Sequence, residues 1–319
     1  MKNSLAIVSE GKTKTLAERR ELAQERTSFE ILTNPPDKFS NGDVIGFAPY
    51  FTTQFGLPHS AVKGNIWQRH NGNDILSITT DCPYGLPSGS KPRLLLAWIA
   101  TWQVRHPDLT VIDLGKNVSR FLERELGVPR TGRYIKDVQL EMIRLFSATI
   151  SVVTNDPETK QYSRDAALIS KKFDLWRTKN DDQDALFPSY VILSEDFRQS
   201  ILERPIPFDL RGLSILTPSS LAMDYYVWFA RVMFSLRASR LVPWKALHDQ
   251  FGSQYDWQDR RSRFDFRSES IKQITKRVHL AYPTLRVSFP QDKDGIMLHP
   301  SPTPVPHVPS KKIMLLRQS

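Results

Sequence analysis

The chain has 319 residues, 40% of them hydrophobic, enough for two ordinary domains with cores of their own. Its formal net charge of +10 points to an acidic partner, either nucleic acid or an anionic membrane surface. No apolar run approaches the roughly 18 residues of a spanning helix, which weakens the membrane reading, and a lone cysteine, Cys82, excludes an intrachain disulfide or a multi-cysteine zinc site.

Residues 1–10 have too short an apolar core and an acidic residue too early for a signal peptide, so a reducing cytoplasm is the expected setting. Residues 12–32 read as a charged helix ended by Asn34-Pro35-Pro36, with a thin apolar stripe of Leu16, Ala23 and Ile31. Residues 37–82, rich in glycine, proline and aromatics, suit a small sheet with one clear strand at 75–79. From 90 to 104 a strongly apolar helix is expected, with Ser90 as its cap and Pro92 in its first turn. A short helix over 118–126 ends at Gly127. A third helix over 134–147 carries Ile135, Val138, Met142 and Leu145 as a core-facing stripe. Residues 148–153 and 165–175 then read as wing strands around the loop Asn155-Asp156-Pro157-Glu158.

The same order of parts returns. Pro218-Ser219-Ser220 opens an apolar helix running to about Leu236, and residues 241–252 lead into a brief helix that stops at Gly252. A basic approach, Arg260-Arg261-Ser262-Arg263, feeds a longer helix ending at Tyr282-Pro283. Residues 285–289 and 295–299 read as two strands joined through Asp292-Lys293-Asp294-Gly295, where an Asp-Gly pair favours the positive φ of a tight hairpin. The expected fold class is therefore α+β, with tandem winged-helix domains and flexible termini. Residues 1–36 form an N-terminal arm, 37–185 and 186–300 the two winged-helix domains, and 301–319 a proline-rich basic tail containing Lys311-Lys312.

In the second module Ile271, Ile274, Val278 and Tyr282 recur at helical spacing and are assigned to the core. The opposite face then presents Lys272, Gln273, Lys276 and His279, with Arg277 beside it. Lysine and arginine reach phosphates, while glutamine or arginine hydrogen-bonds base edges in the major groove. Arg260, Arg261, Arg263 and Arg267 lie at or before the start of this helix, where recognition helices enter the groove. Between residues 256 and 286 eight basic side chains face four acidic ones (Asp256, Asp259, Asp265, Glu269), so internal pairing leaves an excess of positive charge. In the first module the corresponding residues are Arg133, Lys136 and Gln139, with Lys116, Arg130 and Arg144 nearby and acids alternating among them. Lys171-Lys172 and Lys293 fall at the two expected wings.

Enzymatic readings find little support. Residues 85–92 have the wrong glycine spacing for a phosphate loop, and Pro92 replaces its Ser or Thr. The seven histidines have no ligand spacing, and Asp181-Asp182 sit in a polar linker. Trp98, Trp102, Trp228 and Phe229 are read as core, as are Trp176, Trp244 and Trp257 near loops. No cofactor or metal is expected.

Several phrases together resemble the plasmid-encoded replication initiators of the RepA type. They are Gly89-Ser90-Lys91-Pro92-Arg93-Leu94-Leu95-Leu96-Ala97-Trp98-Ile99, Leu114-Gly115, Phe121-Leu122, Leu126-Gly127 and Arg144-Leu145-Phe146. Further along come Leu193-Ser194-Glu195-Asp196-Phe197, Pro207-Phe208-Asp209-Leu210, residues 220–228, and Trp244 with Gln250-Phe251-Gly252. The resemblance implies a protein that binds repeated duplex sequences at a plasmid origin, helps melt adjacent AT-rich DNA and recruits the host helicase machinery. It also implies dimerisation through the N-terminal winged helix. A promoter-binding repressor on the same fold is the alternative that the residues leave open.

Overall fold

The computed structural model describes residues 44–128, 131–156, 158, 161–176 and 184–305. The expected helix at 12–32, Arg130, the Asp181-Asp182 pair and the tail with Lys311-Lys312 lie outside the described residues. Helix and sheet are mixed, as expected for an α+β chain. Among the described residues no helix is long and apolar enough to cross a membrane.

Strand β1 (Ile45–Ala48) and a short 3-10 turn (Tyr50–Thr53) precede a hairpin of β2 (Ile66–Asn71) and β3 (Asp74–Thr80). Asn71 faces Asp74 across a two-residue turn, and Gly72 supplies its positive φ of 61°. On β3, Leu76 and Ile78 face the core while the residues between them face out. Helix α1 (Ser90–Arg105) is buried over most of its circumference. Its cap is Gly89 at φ 79°, with no side-chain hydrogen bond, so Ser90 is the helix's first residue rather than its cap.

Then come β4 (Val111–Gly115), α2 (Val118–Phe121, continued by a π turn, Leu122–Leu126) and α3 (Gly132–Phe146). Asn117 caps α2 by accepting from the Arg120 N–H, and Gly127 ends the π turn at φ 65°. The expected stripe of α3, Ile135, Val138, Met142 and Leu145, is fully buried. Strands β5 (Ala148–Asp156), β6 (Gln161–Leu168), β7 (Ser170–Asp174) and β8 (Ser189–Leu193) follow, then α4 (Glu195–Glu203), β9 (Ile206–Asp209) and α5 (Leu210–Ile215). The second repeat consists of α6 (Ser220–Ser235), β10 (Arg240–Pro243), α7 (Trp244–Phe251) and α8 (Arg260–Lys272), then β11 (Arg286–Ser288) and β12 (Gly295–His299).

Strand pairing corrects the reading of the first repeat. The β5–β6 hairpin joins β2 and β3 in a sheet of order β2-β3-β5-β6, so it is not the counterpart of the β11–β12 hairpin. That counterpart is β7–β8. The order β4-β8-β7 matches β10-β12-β11: the strand before the second helix pairs with the last strand, which pairs with the middle one. Residues 165–175 therefore divide between two sheets, and β8 pairs across the position expected to separate the modules. The second hairpin also differs from expectation at its turn. Its β12 begins at Gly295 after a six-residue loop, and Gly295 is absent from the positive-φ glycines. Glycine is required there by close approach, since a Cβ would lie 2.4 Å from the Val242 carbonyl oxygen.

The two repeats share a core. Strand β1 pairs antiparallel with β9, and α1 packs on α6. At that junction Asp224 of α6 is buried against Arg93 of α1. Arg93 Nε donates to Asp224 Oδ1 and Nη2 to Oδ2, both at 2.7 Å. Its remaining N–H groups reach the carbonyls of Leu57, Pro58 and Gly89. His59 Nε2 lies 2.7 Å from Asp224 Oδ2. Gly56 makes room: it has φ 66°, and a Cβ there would lie 2.7 Å from Asp224 Oδ2. Burial pushes the Asp224 carboxyl up, but the Arg93 charge and the hydrogen bonds from His59 and Arg93 outweigh it, and the group sits below its ordinary value. Burial holds His59 below its ordinary value against the opposing bond to Asp224, with the Arg93 and Arg69 charges adding to the depression.

Asp224→Asn strands the Arg93 guanidinium and is expected to cost about 3–5 kcal/mol, read from the urea midpoint. A loss under about 1 kcal/mol would mean that water reaches the cluster. A second expectation concerns pH. As pH falls through about 6.5, the unfolded chain takes up a proton that neutral His59 refuses in the folded state, so stability declines. His248 is displaced in the same direction. The difference between wild type and His59→Gln isolates the contribution of His59, and identical pH profiles for the two would contradict a neutral buried imidazole.

Candidate nucleic-acid interface

Helix α8 begins at Asp259, whose carboxylate accepts from the Ser262 N–H at 2.6 Å. Its first turn holds Arg260, Arg261 and Arg263 and no acid. Cations at this end oppose the helix dipole, so these arginines do not serve the stability of the helix. After Lys272 the helix passes into a π turn, Gln273–Val278, and ends with His279–Ala281. Its inner side presents Phe266, Ser270, Ile274, Val278 and Tyr282, all buried. Tyr225 of α6 donates to the Ser270 hydroxyl at 2.8 Å and fixes α8 to the apolar helix beneath it.

On the outer side Arg260 and Lys272 are exposed, and neither has an ion pair among the described residues. Arg261 pairs with Asp265 at 3.2 Å, but its side chain is 83% exposed, so the pair contributes little. Arg263 is half-buried: it donates to the Trp257 carbonyl at 2.9 Å and lies over that indole. Arg267 pairs with Asp294 at 2.7 Å and lies over the same ring. Arg263 and Arg267 thus converge on Trp257, together with Lys245 of α7. Lys276 is exposed, Arg277 half-buried, and Lys293 exposed in the loop before β12.

Gln273 does not lie on the outer face. At 3.6 residues per turn Gln273 falls close to the line of Phe266 and Ser270, where it is buried and donates to Glu269 Oε1. Its own Oε1 has no partner. His279 is likewise engaged, its ring nitrogens lying 2.9 Å from the Ile274 carbonyl and 3.1 Å from that of Leu285. Two outward residues of α8 escaped the sequence reading, Phe264 and Ser268. The four-residue spacing from Arg260 through Phe264 and Ser268 to Lys272 marks them as one face.

In the first repeat Arg133 and Lys136 are exposed on α3 and Gln139 is half-buried. Arg144 is engaged: it pairs with buried Glu141 and donates to the Tyr84 carbonyl at 2.9 Å. Lys116 is exposed before α2, and Lys171 and Lys172 are exposed on β7, the middle-strand counterpart of β11. Among the described residues no group of three His, Cys, Asp or Glu is placed to hold a metal ion. The surface therefore offers cations and hydrogen-bond donors, suited to a polyanion.

Residues 86–244 match a family model described as plasmid-encoded RepA protein. Two solved structures are similar to the chain at 10% identity. One is the crystal structure of selenomethionine derivatives of domains 2 and 3 of RctB, with a TM-score of 0.49, covering 81% of this chain and 97% of that one. The other is a crystal structure of RctB domains 2–3, with a TM-score of 0.47, covering 78% and 94%. No curated protein matches in sequence.

Gln273→Met keeps the side-chain volume, removes an oxygen with no partner among the described residues and releases the half-buried Glu269 carboxylate to water. It is expected to change stability by less than about 1 kcal/mol and to leave any nucleic-acid affinity unaltered. A large loss of affinity in a folded Gln273→Met protein would place this residue back among the contacts.

Proposed function

Because residues 86–244 make this chain a member of the plasmid-encoded RepA family, we propose that it is a replication initiator that binds repeated duplex sequences at a plasmid origin. In this reading the chain is not an enzyme. It carries two winged helices, each with a recognition helix for the major groove: α3, with Arg133 and Lys136, and α8, with Arg260, Arg261, Lys272 and Lys276. The matching strand orders β4-β8-β7 and β10-β12-β11 support the repeat, with β7–β8 and β11–β12 as the wings. The first module then closes at β8 and the second opens at α6. Lys171, Lys172 and Lys293 sit at the wings, where they reach backbone phosphates. Opening of adjacent AT-rich DNA, recruitment of the host helicase, a dimer through the first module and action in the cytoplasm complete the proposal.

The observation that carries the DNA reading is the first turn of α8, where three arginines crowd the positive end of a helix and the nearby acids, the capping Asp259 and Asp265, are fewer than the cations. A polyanion supplies the missing charge. If about eight phosphates are neutralised, log affinity falls against log salt with a slope of about −7. Replacing Lys272, Lys276 and Arg277 by alanine together is expected to abolish origin binding while the melting temperature holds. A folded triple variant that still binds would refute α8 as the recognition helix. Footprinting on the DNA flanking the gene distinguishes the roles. Several protected direct repeats of about two helical turns beside an AT-rich tract fit an initiator, whereas a single palindrome over a promoter fits a repressor.

A further inference from the structure

The outer face of α8 places one large apolar side chain among its cations. Phe264 is 65% exposed, while two residues on Phe266 is fully buried against Trp244, His248 and Tyr255. At 3.6 residues per turn, Arg260 and Ser268 lie one turn before and after Phe264 on nearly the same line. Arg261 and Lys272 lie to one side of that line within roughly 80°, and Arg267 to the other at roughly 60°. The buried residues Phe266, Ser270 and Gln273 lie on the far side of the helix. Phe264 is therefore the outermost point of α8, at the centre of its basic face. The core does not use it, and phenylalanine is only a middling helix former.

A surface that attracts a duplex through its rim of cations meets one apolar feature in the major groove, the C5 methyl of thymine. The minor groove displays no such methyl group, and the apolar carbons of the backbone deoxyribose are the same at every base. A phenyl ring is among the side chains that pack against this methyl. We propose that Phe264 reads thymine through its C5 methyl group in the major groove, with Arg260 and Ser268 set one turn to either side of the ring. The assignment rests on α8 being the recognition helix and adds to that reading the identity of a base and the residue that selects it.

The test uses the full chain. Duplexes are selected from random-sequence DNA at about 150 mM salt. Each thymine of a selected duplex is then replaced singly by deoxyuridine, which deletes the methyl and keeps the base pair. Wild type is expected to lose about fourfold in affinity at one or two positions, the value of burying one methyl-sized group. Phe264→Ala binds the selected duplex more weakly, shows no further loss at those positions and melts with wild type, because the ring is on the solvent side. Phe264→Leu retains part of the methyl effect. A flat uracil scan with wild type overturns the role of Phe264 and leaves DNA recognition by α8 standing. The same sensitive positions persisting in Phe264→Ala also overturn it, since another residue then reads the methyl. Unchanged DNA affinity in Phe264→Ala with lost self-association assigns the ring to a protein contact instead. Failure to enrich any duplex is a different result, and it removes the recognition-helix reading itself.

Discussion

A carboxylate shut away from water governs the architecture. Asp224 lies in the second turn of α6, and an isolated charge there would cost several kcal/mol. The chain answers with Arg93, whose planar guanidinium meets the carboxylate in a two-point pair and spends its remaining donors on the carbonyls of Leu57, Pro58 and Gly89. Those bonds reach three separate segments: the loop after the 3-10 turn, the start of α1 and the second turn of α6. Because the geometry of a bidentate pair tolerates little displacement, α1 and α6 hold one relative position. Each is the first helix of its repeat, so the same ion pair that satisfies a buried charge also sets how the two repeats face one another. The β1–β9 pairing and the bond from Gln250 to the Thr53 carbonyl brace that arrangement at the periphery.

What the sequence discloses and what it hides divide along the range of the interactions involved. The helices are legible because their signals are local: the stripe of α3, the Ser219 cap of α6, whose side chain accepts from the Ala222 N–H, and Gly127 after the π turn. Sheet pairing is not local. A strand over 148–153 is equally compatible with a wing and with a place beside β3, and only the fold chooses β3. The Asp294-Gly295 pair carries the composition of a tight turn, yet Gly295 is there because β10 passes too close for a Cβ. The site shows the same division. Placing Lys272 and Lys276 on the outer side needs only a helical period, and both are exposed; of the core stripe Ile274, Val278 and Tyr282 are buried, Ile271 only partly. Gln273 departs because the buried line of the helix runs through Phe266, Ser270 and Ile274, whereas a stripe drawn from Ile271 places Gln273 on the opposite side. Phe264 went unnoticed because an aromatic on a helix is ordinarily core, and only its burial separates it from Phe266.

The phrases that carry the family resemblance acquire a physical meaning from this arrangement. Arg93 stands within the segment from Gly89 to Ile99, and Asp224 within residues 220–228, so two of these phrases hold the two halves of one buried ion pair. Tyr225, Tyr226, Trp228 and Phe229 around it are buried. Neither partner of such a pair can be replaced alone without stranding the other, which ties together positions 131 residues apart in sequence.

The outward arc of α8 is under the opposite constraint. It begins after Trp244, where the family match ends, and its exposed side chains, Arg260, Phe264, Ser268 and Lys272, touch little that the fold requires. Surface substitutions of this kind typically change stability by no more than about 0.5 kcal/mol. The scaffold therefore separates two demands: a buried charge network that must be kept whole to hold the two repeats together, and a face of one helix whose residues can be exchanged one at a time. Under the proposed function, a change of target sequence would need alterations only in that arc, while Arg93, Asp224 and the helices they join keep the spacing between α3 and α8 the same.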